Sequence, residues 1–104
     1  SSEKDTSLSM PQFISYSKPA EIVAAATKAF ARMGATSTAD KASVAGEIIT
    51  KNGAVSLRVV ISSLSDTLAL VELQRGRGDL LAYADVYTRF RSELSKAGIS
   101  GAAT

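Results

Sequence analysis

The sequence has no cysteine, no histidine and no tryptophan among its 104 residues. Without cysteine there is no disulfide framework and no thiolate to attack a substrate or bind a metal. Without histidine the usual general base near neutral pH and the commonest metal ligand are both missing. A cysteine-free chain fits a reducing, intracellular setting. No apolar run approaches the roughly 18 to 20 residues of a membrane span. The first residues carry no apolar core of a secretory signal. Neither sign of charge dominates, with 12 Lys and Arg against 10 Asp and Glu, a net of +2. A uniformly basic nucleic-acid binder carries more than this, and basic and aromatic residues do not interleave on the expected strands.

What is present suits one small folded domain. The hydrophobic fraction of 45% is that of a globular protein. Ser1 to Ser9 is polar and unpatterned and reads as a disordered linker or an expression remnant. Residues 98–104 are small and polar and read as a loose tail. The folded unit is therefore expected over residues 10–97.

Gln12 to Tyr16 alternates like a short strand. Ser17-Lys18-Pro19 then opens a helix, with Ser17 as its cap, Pro19 in the first turn and Glu21 at the positive end of the dipole. Ile22, Ala26, Ala29, Phe30 and Met33 recur at helical spacing, and Gly34 stops the helix. Ala35 to Ala39 is a weak strand, and Asp40-Lys41 a turn. Val44 to Lys51 is a stronger strand, closed by the hairpin signal Asn52-Gly53. Val55, Leu57, Val59 and Ile61 face one way; Ser56, Arg58 and Ser62 face the other. After a turn at Ser65-Asp66, Leu68 to Arg75 is the last strand. Gly76-Arg77-Gly78 breaks the pattern and Asp79 caps a closing helix. That helix carries Tyr83, Val86, Tyr87, Phe90 and Leu94 on its apolar face, with Asp85, Arg89, Glu93 and Lys96 opposite. The expected fold is α+β, an antiparallel sheet of four to five strands with two helices on one face.

Two segments carry a resemblance. Phe13, Ser15, Pro19, Glu21 and Ile22 stand at the spacing of a phosphatase-interaction motif, with Gln12 where that motif has arginine. Arg75, Gly78, Tyr83 and Tyr87 match a last strand and helix. Together they resemble the kinase-associated-1 domain. The first segment is most similar to the regulatory tails of plant serine/threonine kinases that bind calcineurin B-like calcium sensors. The resemblance implies a non-catalytic C-terminal regulatory domain of such a kinase, without a cofactor. It implies binding to acidic phospholipid surfaces, or docking on the kinase's own catalytic domain in autoinhibition, or contact with a phosphatase. It places the chain in the cytoplasm, with a peripheral seat at the plasma membrane.

From the residues themselves, Lys18, Arg75, Arg77 and Arg89 are the candidates for an anionic surface, expected to gather at one edge because both helix starts follow strand ends. The resemblance, in turn, makes Phe13, Ser15, Pro19, Glu21 and Ile22 the candidates for contact with a protein partner. Gly76-Arg77-Gly78 reads either as an anion-binding turn or as a plain strand-to-helix turn. Tyr83, Tyr87 and Phe90 read as core. The acids are scattered singly and no serine has a base partner, so the sequence names no catalytic residue and no metal ligand.

Overall fold

The computed structural model describes residues 12–99. Their elements are β1 (Gln12–Ser15), α1 (Pro19–Arg32), β2 (Thr36–Ala39), β3 (Ser43–Thr50), β4 (Gly53–Ser63), β5 (Ala69–Arg75) and α2 (Leu80–Lys96). The strands form one antiparallel sheet in the order β1-β5-β4-β3-β2. This is the expected α+β architecture, with five strands. The linker expected over residues 1–9 lies outside the described residues, as do residues 100–104 of the expected tail.

Strand alternation decides which face the helices cover. Val55, Leu57, Val59 and Ile61 of β4 are all buried, as are Ala69, Val71 and Leu73 of β5. They join Ile22, Phe30, Val86 and Phe90 from the helices in one core. Phe30 and Phe90 meet across the two helices with ring centroids 4.6 Å apart. Ala25 and Ala29 let the helices approach closely, and the cleft left at their seam holds only about 60 Å³. The opposite sheet face carries Thr38, Glu47, Arg58 and Glu72, none of them buried.

The helix ends follow from local chemistry, with one correction. The N-cap of α1 is Lys18, not Ser17. A residue before proline is pushed to extended backbone, and Lys18 has φ −72° and ψ 150°. Its carbonyl accepts from the amides of Glu21 and Ile22, and its own amide donates to the Glu21 carboxylate at 3.1 Å. Ser17 instead donates its amide to Ser15 Oγ. Asp79 caps α2 as expected, its carboxylate accepting from the amides of Leu81 and Ala82.

The tail boundary also shifts. Gly98 takes φ +87° and turns the chain back, so that the Ile99 amide donates to the Leu94 carbonyl at 2.9 Å. This is the 6→1 bond of a Schellman motif, whose apolar contact is made by Ile99 and Leu94, both buried. The packed unit therefore extends two residues past Ala97. Glu93 departs from expectation too. It sits beside α1, 4.0 Å from Arg32 and 3.5 Å from Lys96, rather than on the outer face of α2.

Candidate functional site

The register separates the expected basic cluster. β5 runs from Ala69, opposite Ser15 and Ser63, to Arg75, opposite Leu57. At about 3.3 Å per residue its two ends lie roughly 20 Å apart. Lys18 follows β1 and sits at the Ala69 end, whereas Arg75 and Arg77 sit at the other. Both helices do start after strand ends, but β1 and β5 are antiparallel, so their C-terminal ends point in opposite directions. Glu21, Asp40, Lys41 and Asp66 lie at the same end of the sheet as Lys18, which makes that end one of mixed sign.

The Arg75 end is different. The strand-to-helix turn runs alongside the start of β4. Gly76 donates its amide to the Ser56 carbonyl, Arg77 donates its amide to Ser56 Oγ at 2.6 Å, and the Ser56 amide donates to the Arg77 carbonyl. Those two turn amides are thus occupied by Ser56, and the reading of this turn as a backbone anion cradle gives way to that of a strap that holds two arginines. Gly78 then passes close to Ala54 and Val55, which delivers α2 beside the β3–β4 hairpin. The loop of that hairpin is Lys51-Asn52, since Thr50 pairs with Gly53. The Thr50 hydroxyl braces it, donating to the Gly53 carbonyl at 2.8 Å and accepting from the Asn52 amide.

Between hairpin and helix lies a groove of about 450 Å³, lined by Ile49 to Asn52 and by Leu81, Ala82, Asp85 and Arg89. Lys51, Arg75, Arg77 and Arg89 all belong to this end of the molecule. Of the nearby acids, Asp79 is engaged as the helix cap, and Asp85 pairs with Arg89 at 4.0 Å in the expected i,i+4 arrangement. Three large apolar side chains are exposed at the same end: Ile49 and Leu81 by more than three-quarters or close to it, at 75% and 78%, and Leu80 by 54%. Arg75 itself reaches back over Tyr83, with 5.9 Å from guanidinium to ring centroid.

Lys51, Ile49, Leu80 and Leu81 were not singled out by sequence reasoning, although a signal existed. Leu81 falls off the stripe set by Tyr83, Val86, Phe90 and Leu94. Ile49 has the parity opposite to the buried Ile48. An aliphatic residue on the polar side of its own element marks surface that water is left to cover.

The expected protein-contact segment is corrected as well. Phe13, Ser15 and Ile22 are at most 1% exposed, so they hold β1 and α1 in the core and present no surface to a partner. Pro19 and Glu21 stay accessible, but Glu21 is engaged in the helix start. Tyr83 and Phe90 are core, as expected, and Tyr87 is half-buried at its edge. Among the described residues no three His, Cys, Asp or Glu side chains come together to hold a metal ion. No helix among them is long and apolar enough to cross a membrane.

No family model matches the chain, and no curated protein is similar to it in sequence. The fold does have solved counterparts. A chain in the crystal structure of the adenylate sensor from AMP-activated protein kinase, in complex with 5-aminoimidazole-4-carboxamide 1-β-D-ribofuranotide (ZMP), superposes with a TM-score of 0.68. The match covers 79% of this chain and 93% of that one, at 11% identity. The two chains share a fold, and at that identity the likeness extends no further.

Proposed function

We propose that this domain is a non-catalytic regulatory module of a serine/threonine kinase, of the kinase-associated-1 type, that holds its kinase at an acidic membrane surface. The observation that carries the reading is the fold match to nearly the whole of a chain from the adenylate sensor of AMP-activated protein kinase. The charge distribution supports the membrane part. Arg75 and Arg77 are exposed on a strap fixed by Ser56, and Lys51 and Arg89 flank the same end. Basic residues near an anionic leaflet contribute about 1 kcal/mol each, so three or four give weak, salt-sensitive binding. Lys18, at the opposite end, takes no part.

Vesicle co-sedimentation tests this. Binding should require acidic lipid and weaken between about 50 and about 300 mM salt. It should drop when Arg75→Ala and Arg77→Ala are combined, while Lys18→Ala leaves it unchanged. Equal binding to neutral and acidic vesicles overturns the membrane reading. A chain that ignores vesicles yet is retained by the kinase catalytic domain, or by a phosphatase, supports the alternative of a docking module without lipid affinity.

A further inference from the structure

We infer that the hairpin end is a membrane-inserting wedge, in which Ile49, Leu80 and Leu81 enter the boundary between headgroups and acyl chains while Lys51, Arg75, Arg77 and Arg89 hold lipid phosphates around them. This deepens the membrane reading and rests on it. The sheet and helices cover none of these three side chains, although two of them lie next to a covered neighbour: Ile48 beside Ile49, and Ala82 beside Leu81. The occupant is identified by charge as well as by apolarity. Of the five large hydrophobic residues left exposed among the described residues, Tyr16 and Leu64 lie at the Ala69 end, which Lys18 and Lys41 share with Glu21, Asp40 and Asp66. The other three lie where four cations face three acids: Asp79 and Asp85, engaged by the α2 cap and by Arg89, and the exposed Glu47, opposite Ser56 on β3. Aliphatic tips rimmed by cations match a bilayer with an anionic surface, whose interior takes the tips and whose phosphates take the rim.

The hairpin and the first turn of α2 are also stiff enough to be pushed into a lipid surface. The Thr50 hydroxyl ties the loop at both ends, and the Asp79 carboxylate holds two amides of the helix start. Three side chains on braced backbone lose little freedom on insertion, unlike three on a loose loop.

The absence of tryptophan from the chain makes the test direct. Leu81→Trp places one indole at the proposed wedge, and Leu64→Trp places one at the opposite end. Both positions are exposed, so the core is untouched. Each variant is mixed with vesicles of phosphatidylcholine containing about 30 mol% phosphatidylserine, an anionic leaflet, with and without brominated acyl chains. Indole emission and co-sedimentation are read on the same samples. The expected result is a shift of Leu81→Trp emission to shorter wavelength, with quenching by the brominated lipid, and no change for Leu64→Trp. In parallel, Ile49→Thr combined with Leu81→Gln should lower vesicle affinity roughly tenfold while leaving retention on heparin, a soluble polyanion, unchanged. If Leu81→Trp sediments but its emission stays that of an indole in water, or if Leu64→Trp responds instead, the wedge is wrong and the membrane reading survives. If neither variant nor the unmodified chain sediments with acidic vesicles, both fall together.

Discussion

Arg91 lies across the ring of Phe13, its guanidinium carbon 4.2 Å from the ring centroid, and donates from Nη1 to Tyr87 Oη at 2.9 Å. The contact joins the closing helix to the first strand. β1 is four residues long and pairs only with β5, so an edge strand with few ladder bonds depends on its side chains to stay docked. Phe13 supplies a fully buried ring, and Arg91 is its lid. A cation over an aromatic face contributes from about 0.5 to about 2 kcal/mol as the site dries, and the arginine stem adds apolar cover.

Arg91→Ala is therefore expected to lower stability by about 1–2 kcal/mol, read as a lower urea midpoint. Arg91→Lys should recover part of the loss, because it keeps the cation but not the planar stack or the bond to Tyr87. Equal stability of all three proteins would show that Phe13 needs no lid.

Gly46 sits in the middle of β3, beneath the ring of Phe30. A Cβ built there would lie 2.5 Å from ring carbons Cδ1 and Cε1. The ring cannot easily retreat, since Phe90 stands behind it at 4.6 Å. Gly46→Ala is expected to lower stability by about 1–3 kcal/mol through overpacking, against the usual gain from replacing a strand glycine. A smaller ring makes room, so Phe30→Leu should reduce the penalty in a double-mutant cycle.

The same glycine shows where sequence reasoning reached its limit. Periodicity reports on one element at a time. It located the alternation from Val55 to Ile61, the helical stripe from Ile22 to Met33 and the Asn52-Gly53 hairpin signal, because each pattern closes within a few residues. Gly46 reads locally as a weak spot in a strand, and only the crossing of α1 over β3 gives it a purpose. Lys18 was misplaced for a related reason: the end of a sheet to which a strand points depends on pairing direction, which no local spacing encodes. The arginines of the strap were legible as candidates, because glycines isolate them. The leucines beside them were not singled out, and Ile99 passed for part of a polar tail.

Asp79 allows stability and binding to be separated. Asp79→Ala removes the acceptor for two amides of α2 and is expected to lower stability by about 1 kcal/mol. Asp79→Asn keeps an acceptor and should fold nearly as well. It also deletes one of the three acids at the hairpin end, the others being Asp85 and Glu47. Affinity for acidic vesicles should then rise by up to about fivefold, the equivalent of ~1 kcal/mol per unit of charge. Unchanged vesicle affinity in Asp79→Asn, measured by co-sedimentation at low salt, would place the lipid contact away from this end.

Tyr83 carries a buried hydroxyl with no hydrogen-bond partner. Burial raises its pKa above the usual tyrosine value, the neighbouring Tyr87 adds to the rise, and the Arg75 guanidinium pulls the other way. The folded state thus holds the neutral phenol, whereas the unfolded chain ionises near about pH 10. With the folded-state pKa the higher of the two, the associated stability is complete below about pH 10 and is lost as pH rises through the folded-state value. Tyr83→Phe removes both the unpaired hydroxyl and this dependence. At neutral pH it should match or exceed the parent, because an unsatisfied buried hydroxyl costs about 1–3 kcal/mol. Between about pH 9 and about pH 11 its urea midpoint should fall less steeply than the parent's. Coincident alkaline limbs would mean that Tyr83 ionises as readily in the folded protein as in the open chain. A marked loss of stability at neutral pH would mean that its hydroxyl has found a partner in solution.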